Sequence, residues 1–292
     1  MMNMHWKGKR IGRKFLGALL CLAQICLLSP AASAAENQPE EVYLLVGYDQ
    51  QEGTGAARSD TMILCRFDKE TEQLVLVSLL RDLYVSVPGH GKNRLNAAYA
   101  LGGMPLLKDT IQQNFRVDVD GCVEVDFSRF SQIIDILGGV ELELREDEAR
   151  LIARETGTTL EPGKQTLTGS QALAYARIRC LDADGDFSRT RRQRSVLEAL
   201  WDAYKGCSFP KLVRVMGSLL PMVRTDLESG VLLRTALDVS PHLSGMKLEG
   251  YSIPAKEQCR DQVIDGMAVL TADMEKTRVQ LHSYLFPENT TK

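Results

Sequence analysis

Apolar residues in this chain arrive in short blocks, and the spacing inside each block decides which element it predicts. Residues 42–47 are almost continuously apolar, which reads as a buried strand ending at Asp49. A glycine-rich loop with Gly53 and Gly55 follows. Residues 61–67 and 73–80 are apolar and β-rich, and Asp68-Lys69-Glu70-Thr71 between them is hairpin chemistry, so the sheet is partly antiparallel. The period then lengthens. Residues 95–101 and 105–115 read as helical, 121–127 alternate as a strand, and 130–137 form an apolar helix stopped by Gly138-Gly139. A short strand at 140–144 precedes an acidic helix at 146–155 and a second helix at 168–177, with Thr168 or Ser170 as its cap. Residues 187–205 carry a further helical period, and two or three helices fill 210–285 around a strand near 248–253. Helices placed between strands throughout predict α/β layering. No repeat and no Pro/Gly-rich linker divides 41–288, which reads as one domain with a short tail at 289–292.

The helix at 187–205 changes how one basic stretch is understood. Arg177, Arg179, Arg189, Arg191, Arg192 and Arg194 fall within 18 residues with no lysine among them. Guanidinium is permanently charged and meets two oxygens with a planar fork, so an all-arginine run suits oriented binding of phosphate or carboxylate. A solvated basic helix face gives the same composition. Helical spacing puts Arg189 and Gln193 on one stripe with Val196, Leu197 and Leu200, which is the buried side. Arg191 and Arg194 then face solvent and Arg192 lies at the flank. Asp186 or Ser188 is placed to cap this helix, whose free N–H groups add to anion affinity beside Arg189. Arg177 and Arg179 are two apart and face one way only in extended chain, so the preceding helix ends there.

Composition sharpens the picture at the N-terminus. Lys7, Lys9, Arg10, Arg13 and Lys14 precede an apolar run at 15–28, then Pro30 and a small-residue stretch at 31–35. Residues 1–35 read as an export signal, either a cleaved signal peptide or a retained signal anchor, joined by a polar linker at 36–40. The rest carries 30 basic against 38 acidic residues, a balance of −8 over residues 36–292. Such a domain is a poor nucleic-acid binder; its clustered positive charge implies a discrete anionic ligand. Cys21 and Cys26 fall in the leader. Cys65, Cys122, Cys180, Cys207 and Cys259 form no C-x-x-C pair, so at most two disulfides are open to them and the thiolate-metal and redox patterns are missing. Cys65 and Cys122 sit in strand-like runs and belong to the core.

Several chemistries drop out. The chain has four histidines, one of them in the leader, and neither H-E-x-x-H, a P-loop, a nucleophile elbow nor a dinucleotide-binding glycine pattern. Asp182-x-Asp184-Gly185-Asp186 hints at calcium, but glycine and the closing acid are out of register, which leaves these acids to neutralise arginines or to act on a metal at longer range. Carboxylate plus arginine remains. Asp49 ends the first strand and Asp60 begins the second, so neighbouring strands bring both to one rim of the sheet. Mg²⁺ is held by one or two carboxylates with phosphate oxygens and water, although aspartate at a strand end is also ordinary turn chemistry. Arg81-Asp82 adds a cation and an acid at the end of the third strand.

Six segments occur in one order: G-Y-D at 47–49, R-S-D-T-M at 58–62, S-L-L-R-D at 78–82, G-K-N-R-L-N-A-A-Y-A-L-G-G at 91–103, L-T-G-S-Q-A-L-A-Y-A-R-I-R at 167–179 and D-G-D-F-S-R-T-R-R-Q at 184–193. Together they resemble the LytR-CpsA-Psr family, with Thr225-Asp226-Leu227 and Ile253-Pro254 fitting its weaker C-terminal pattern. The resemblance implies a three-layer α/β/α domain with a mixed central sheet, outside the cytoplasmic membrane. It implies binding of a polyprenyl pyrophosphate with the lipid in an apolar tunnel, and attachment of a glycopolymer such as teichoic acid or capsule to peptidoglycan. Carried over by residue, Asp49 and Asp60 match the Mg²⁺-binding acids, Arg81 the arginine beside the pyrophosphate, and Arg177, Arg179, Arg189 and Gln193 the pyrophosphate-binding set, with Arg58 a weaker member.

The expected reaction is an Mg²⁺-dependent phosphotransfer from the lipid-linked donor to a sugar hydroxyl, with Asp49 or Asp82 as base. A pyrophosphatase on the same donor and a non-catalytic lipid-pyrophosphate binder or envelope regulator are the alternatives. The chain departs from the family where Gln50 and Gln51 replace a frequent arginine, where Leu80 replaces a proline, and where Cys180 stands in place of a frequent histidine.

Overall fold

The computed structural model describes residues 41–50, 57–68, 71–228 and 242–287. The export segment, the linker, the glycine-rich loop and the tail predicted above lie outside them. A mixed six-stranded sheet organises the chain. Strands β1 (Val42–Gln50), β2 (Ala57–Asp68) and β3 (Gln73–Leu79) form an antiparallel meander, and a small hairpin of β4 (Tyr84–Val87) and β5 (Gly91–Arg94) leads into helix α1 (Leu95–Phe115). Strand β6 (Gly121–Asp126) then returns parallel to β1.

Helices accumulate on one side from this point. They are α2 (Phe127–Leu137), α3 (Glu146–Thr156), α4 (Gly169–Arg177), α5 (Asp186–Tyr204) and α6 (Phe209–Leu219), with the hairpin β7 (Val140–Leu144) and β8 (Gly163–Leu167) between the first and third of them. Strand β9 (Arg224–Thr225) pairs with β6 and β10 (Lys247–Ile253) pairs parallel with β3, giving the order β10-β3-β2-β1-β6-β9. The hairpin β11 (Cys259–Ile264) and β12 (Met267–Ala272) precedes helix α7 (Met274–Leu285).

Strand alternation divides the core in two. Tyr43, Leu45, Ile63, Cys65, Val123 and Val125 pack with α2 to α6, whereas Leu44, Val46, Met62, Leu64 and Val77 pack with α1 and α7. Both faces are covered, so the strands are apolar at nearly every position. The three-layer arrangement expected above is present. Strand β7 was expected at 140–144, whereas its partner β8 and the hairpins β4–β5 and β11–β12 were not, because β5, β8 and β11 are short, largely polar segments that carry no clear apolar run.

Local chemistry accounts for the boundaries. Asp126 caps α2 by accepting from Arg129 N–H, and Thr168 caps α4 with Gln171 reciprocating. The expected division of the first helix appears as a break at Gly102-Gly103 within α1. Neither Asp186 nor Ser188 caps α5. Gly185 occupies the cap at φ 53°, a conformation that favours glycine, and Ser188 Oγ donates back to its carbonyl at 2.9 Å. The described cysteines are free thiols, with Cys65 and Cys122 buried as expected.

Candidate functional site

A break in strand pairing builds one end of the site. Gly47 pairs with Thr61 and Tyr48 with Ser59, so Asp60 is an extra residue bulged out of β2 beside the end of β1. Asp49 pairs across from Arg58 in the next position. The bulge turns the Asp60 carboxylate toward Arg81, at the end of β3, whose Nη1 donates to Oδ1. Arg81 Nε lies 3.4 Å from Asp82 Oδ2 and 3.5 Å from Asp186 Oδ1, and Arg94 Nη1 reaches Asp82 Oδ1 at 3.5 Å. From the helix side, Arg189 Nη2 lies 2.8 Å from Asp186 Oδ1 and donates to the Asp60 carbonyl at 3.2 Å. The result is a chain of alternating charge along the rim, from Arg189 through Asp186, Arg81 and Asp82 to Arg94, with Asp60 branching from Arg81.

Burial tunes these groups. It pushes Arg189 down to about 10, still protonated at neutral pH, and pushes the Asp186 carboxyl up against the pull of Arg189 and Arg81. Burial opposes the charge of Arg81 as well, yet Asp60, Asp186 and Asp82 together raise it. The Nε of Arg81, the Nε of Arg189 and Gln193 Oε1 are buried without a hydrogen-bond partner. Both carboxylate oxygens of Asp186, the acid that each guanidinium contacts, are likewise without a hydrogen-bond partner, and the free guanidinium donors suit an anion.

A second group flanks this one. Arg177 Nη2 lies 3.7 Å from Asp49 Oδ2, and its guanidinium covers the Phe127 ring at 5.1 Å. Arg179 is exposed on the loop after α4, and Arg58 is exposed opposite Asp49. Arg177 and Gln193 are also the long polar side chains lining an apolar cavity that encloses about 720 Å³, counted out to its open end. Leu45, Ile63, Val123 and Val125 form its sheet side, and Phe127, Phe130, Leu173, Val196 and Leu197 of α2, α4 and α5 form its helix side. Gly47 keeps this space open, since a Cβ there would stand 3.1 Å from Thr61 Cβ and 3.6 Å from Phe127.

The predicted residues therefore fall in two adjoining groups, Asp60, Arg81, Asp82 and Arg189 in the charged chain and Asp49, Arg58, Arg177 and Gln193 around the cavity's polar end, while Arg179 stands exposed outside both. Helical spacing placed Arg189 and Gln193 correctly on the buried side and Arg191 on the surface. It failed for two neighbours. Arg194 is buried, donating to Ser78 Oγ at 2.7 Å and Ser252 Oγ at 2.8 Å, and Arg192 is buried against Glu148 at 2.8 Å. Helix α5 is covered on several sides, by β3, β10, α4 and β7, so a single apolar stripe understates what it buries. Asp186 and Arg94 complete the charged chain; the sequence singles out Asp186 as a cap and as an acid able to neutralise arginines, whereas Arg94 has no signal beyond its place in the G-K-N-R-L-N segment. Asp182 and Asp184 neutralise Arg145, Arg192, Arg191 and Lys256, as the failed calcium pattern left them to do.

The chain matches the LytR_cpsA_psr family over residues 27–283. It belongs to the LytR-CpsA-Psr family. Among LytR-CpsA-Psr relatives, the regulatory protein MsrR of Staphylococcus aureus is 32% identical over 77% of this chain and 68% of its own length. The polyisoprenyl-teichoic acid–peptidoglycan teichoic acid transferase TagT of Bacillus subtilis is 33% identical over 70% of this chain and 64% of its own. This chain thus spans less than two thirds of TagT. A structure of TagT bound to LIIa-WTA superposes with a TM-score of 0.69 at 27% identity, covering 87% of this chain and 94% of that one. Another, of TagT with bound octaprenyl pyrophosphate lipid, gives 0.64 at 25% identity, covering 89% and 96%. These similarities establish the mixed α/β domain and the family. Among the described residues of this LytR-CpsA-Psr chain, no helix is long and apolar enough to cross a membrane.

Proposed function

We propose that this protein transfers a phosphorylated glycopolymer from a polyprenyl-pyrophosphate donor to a sugar hydroxyl of peptidoglycan, on the outer face of the cytoplasmic membrane. One observation carries the reading: an apolar cavity with Arg177 and Gln193 among its lining adjoins a rim of arginines and aspartates. Only an amphiphile with a long apolar tail and a compact polyanionic head uses both parts. The tail would lie between the sheet and α2, α4 and α5. The head would meet Arg81, Arg177, Arg179 and Arg189, with Arg58 at the edge. Relatives bearing transferase names, and TagT with bound lipid pyrophosphate, support this assignment.

Asp49 and Asp60 fit a magnesium ion by their chemistry. No group of three His, Cys, Asp or Glu suited to a metal occurs among the described residues, so the protein offers two carboxylates and leaves the other positions to phosphate oxygens and water. Bound there, Mg²⁺ would neutralise charge on the pyrophosphate.

In the proposed step the acceptor oxygen bonds to the glycan-side phosphorus as the bond to the bridging oxygen breaks, and polyprenyl phosphate leaves. The hydroxyl proton passes to a carboxylate, Asp49 or Asp82. The arginines hold the phosphoryl groups in line and meet their charge, the kind of catalysis that needs no covalent nucleophile.

The test incubates purified protein with lipid-linked donor, Mg²⁺ and peptidoglycan fragments and analyses both products. Polymer joined to the fragments with release of polyprenyl phosphate is expected. Free polymer phosphate would indicate a pyrophosphatase. The absence of any released polyprenyl phosphate would favour a regulator, the role named for MsrR.

A further inference from the structure

Arg192 lies outside the proposed head-group set, yet it is the most fully engaged arginine of α5. Its side chain is 6% exposed, as is that of Glu148, whose Oε1 accepts from Nε at 2.8 Å. Its Nη1 donates to the carbonyl of Ile178 at 3.5 Å, and its Nη2 donates to Asp182. Asp182 is shared, because Arg145 Nη1 at the start of α3 donates to its other oxygen at 2.7 Å. Two of the three hydrogen-bond partners of Arg192, the Ile178 carbonyl and Asp182, thus fall on the loop at 178–185 that joins α4 to α5.

The loop matters because of where it begins. Ile178 is buried, while Arg177 and Arg179 on either side of it are exposed. A fixed Ile178 carbonyl therefore fixes the backbone from which both guanidiniums rise. We propose that Arg192 is a positioning residue: through Ile178 and Asp182 it sets the direction in which Arg177 and Arg179 present their charge to the ligand. The inference rests on the reading of that site as one for a pyrophosphate. It divides the arginine run by task, with Arg189 touching the ligand and Arg192, three residues on, holding the opposite wall in place.

Cys180, exposed in the middle of the loop, supplies the probe. With Cys21, Cys26, Cys207 and Cys259 changed to serine, a nitroxide on Cys180 reports loop motion while calorimetry reports binding of inorganic and farnesyl pyrophosphate. Arg192→Met is expected to mobilise the label and weaken both ligands roughly tenfold, the scale on which a displaced binding group is felt. Asp182→Asn releases the loop without breaking the buried Arg192–Glu148 pair and is expected to do the same in a chain of normal secondary structure, with Asp182→Glu recovering part of the loss. An unchanged nitroxide spectrum, or a mobile label with unchanged affinity, overturns the proposal. Arg189→Ala separates the two ideas: it is expected to weaken binding without mobilising the label. If it binds as tightly as the parent, the pyrophosphate reading falls, while the spectra of the Arg192 variants still judge the anchoring.

Discussion

Arg189 shows how one side chain serves two masters. It is almost wholly buried, it holds the Asp60 carbonyl, and its Nε remains unmatched. A charge-assisted hydrogen bond is worth about 1.5–3 kcal/mol, so Arg189→Ala is expected to reduce polymer transfer by about ten- to a hundredfold or more, measured as kcat/KM with lipid-linked donor. The spacing of arginines and apolar residues was enough to find this residue. It was not enough for Arg192 and Arg194, because a helix buried on several sides has no single stripe to read. Asp182 gives a pH test of the same neighbourhood. Hydrogen bonds from Arg145 and Arg192 hold its carboxyl down from the ordinary 3.8 to about 2. A carboxyl depressed on folding stabilises above its unfolded value and loses that contribution as pH falls through the folded one. Urea midpoints of the parent are therefore expected to fall more steeply than those of Asp182→Asn between about pH 5 and about pH 2.

Elements come into play where backbones approach. A Cβ on Gly169 would stand 1.9 Å from the Ser131 carbonyl, so α4 begins in direct contact with α2. These are two of the helices that wall the cavity. Gly169→Ala must push them apart, an overpacking that costs about 1–3 kcal/mol or more. A lower thermal midpoint is expected, with farnesyl pyrophosphate losing more affinity than inorganic pyrophosphate, as calorimetry on both ligands checks. Glycine in the L-T-G-S-Q segment gave no sign of this, since contact between two helices distant in sequence leaves no local periodicity. The strands were readable for the opposite reason: β1, β2, β3 and β6 are apolar on both faces, and their runs stand out from the polar turns between them.

At the scale of the whole molecule, the two faces of the sheet have different work. The side packed with α1 and α7 buries an apolar cluster, whereas the side facing α2 to α6 carries the apolar cavity with the polar end. Layering was legible in the order of strands and helices, but a cavity is unfilled volume between elements, and no residue announces it. The separation predicts that tail and head can be blocked independently. Leu173→Trp, which fills the cavity from α4, is expected to abolish binding of a long prenyl pyrophosphate and leave inorganic pyrophosphate within about threefold, a difference of well under 1.4 kcal/mol. Comparable losses for both ligands in a calorimetric titration would place the tail elsewhere.

The extra residue in β2 makes the site depend on how many residues the strand contains as well as on which they are. Because Asp60 is skipped between the Gly47–Thr61 and Tyr48–Ser59 pairs, a chain one residue shorter here would pair without interruption. Such a deletion mends the ladder while removing the only acid it had been displacing toward Arg81. Length at this point is therefore under opposing demands, a smoother sheet favouring one residue fewer and the chemistry one more. A library of single-residue deletions along β1 and β2 would expose the conflict as variants that fold at least as well as the parent and transfer nothing.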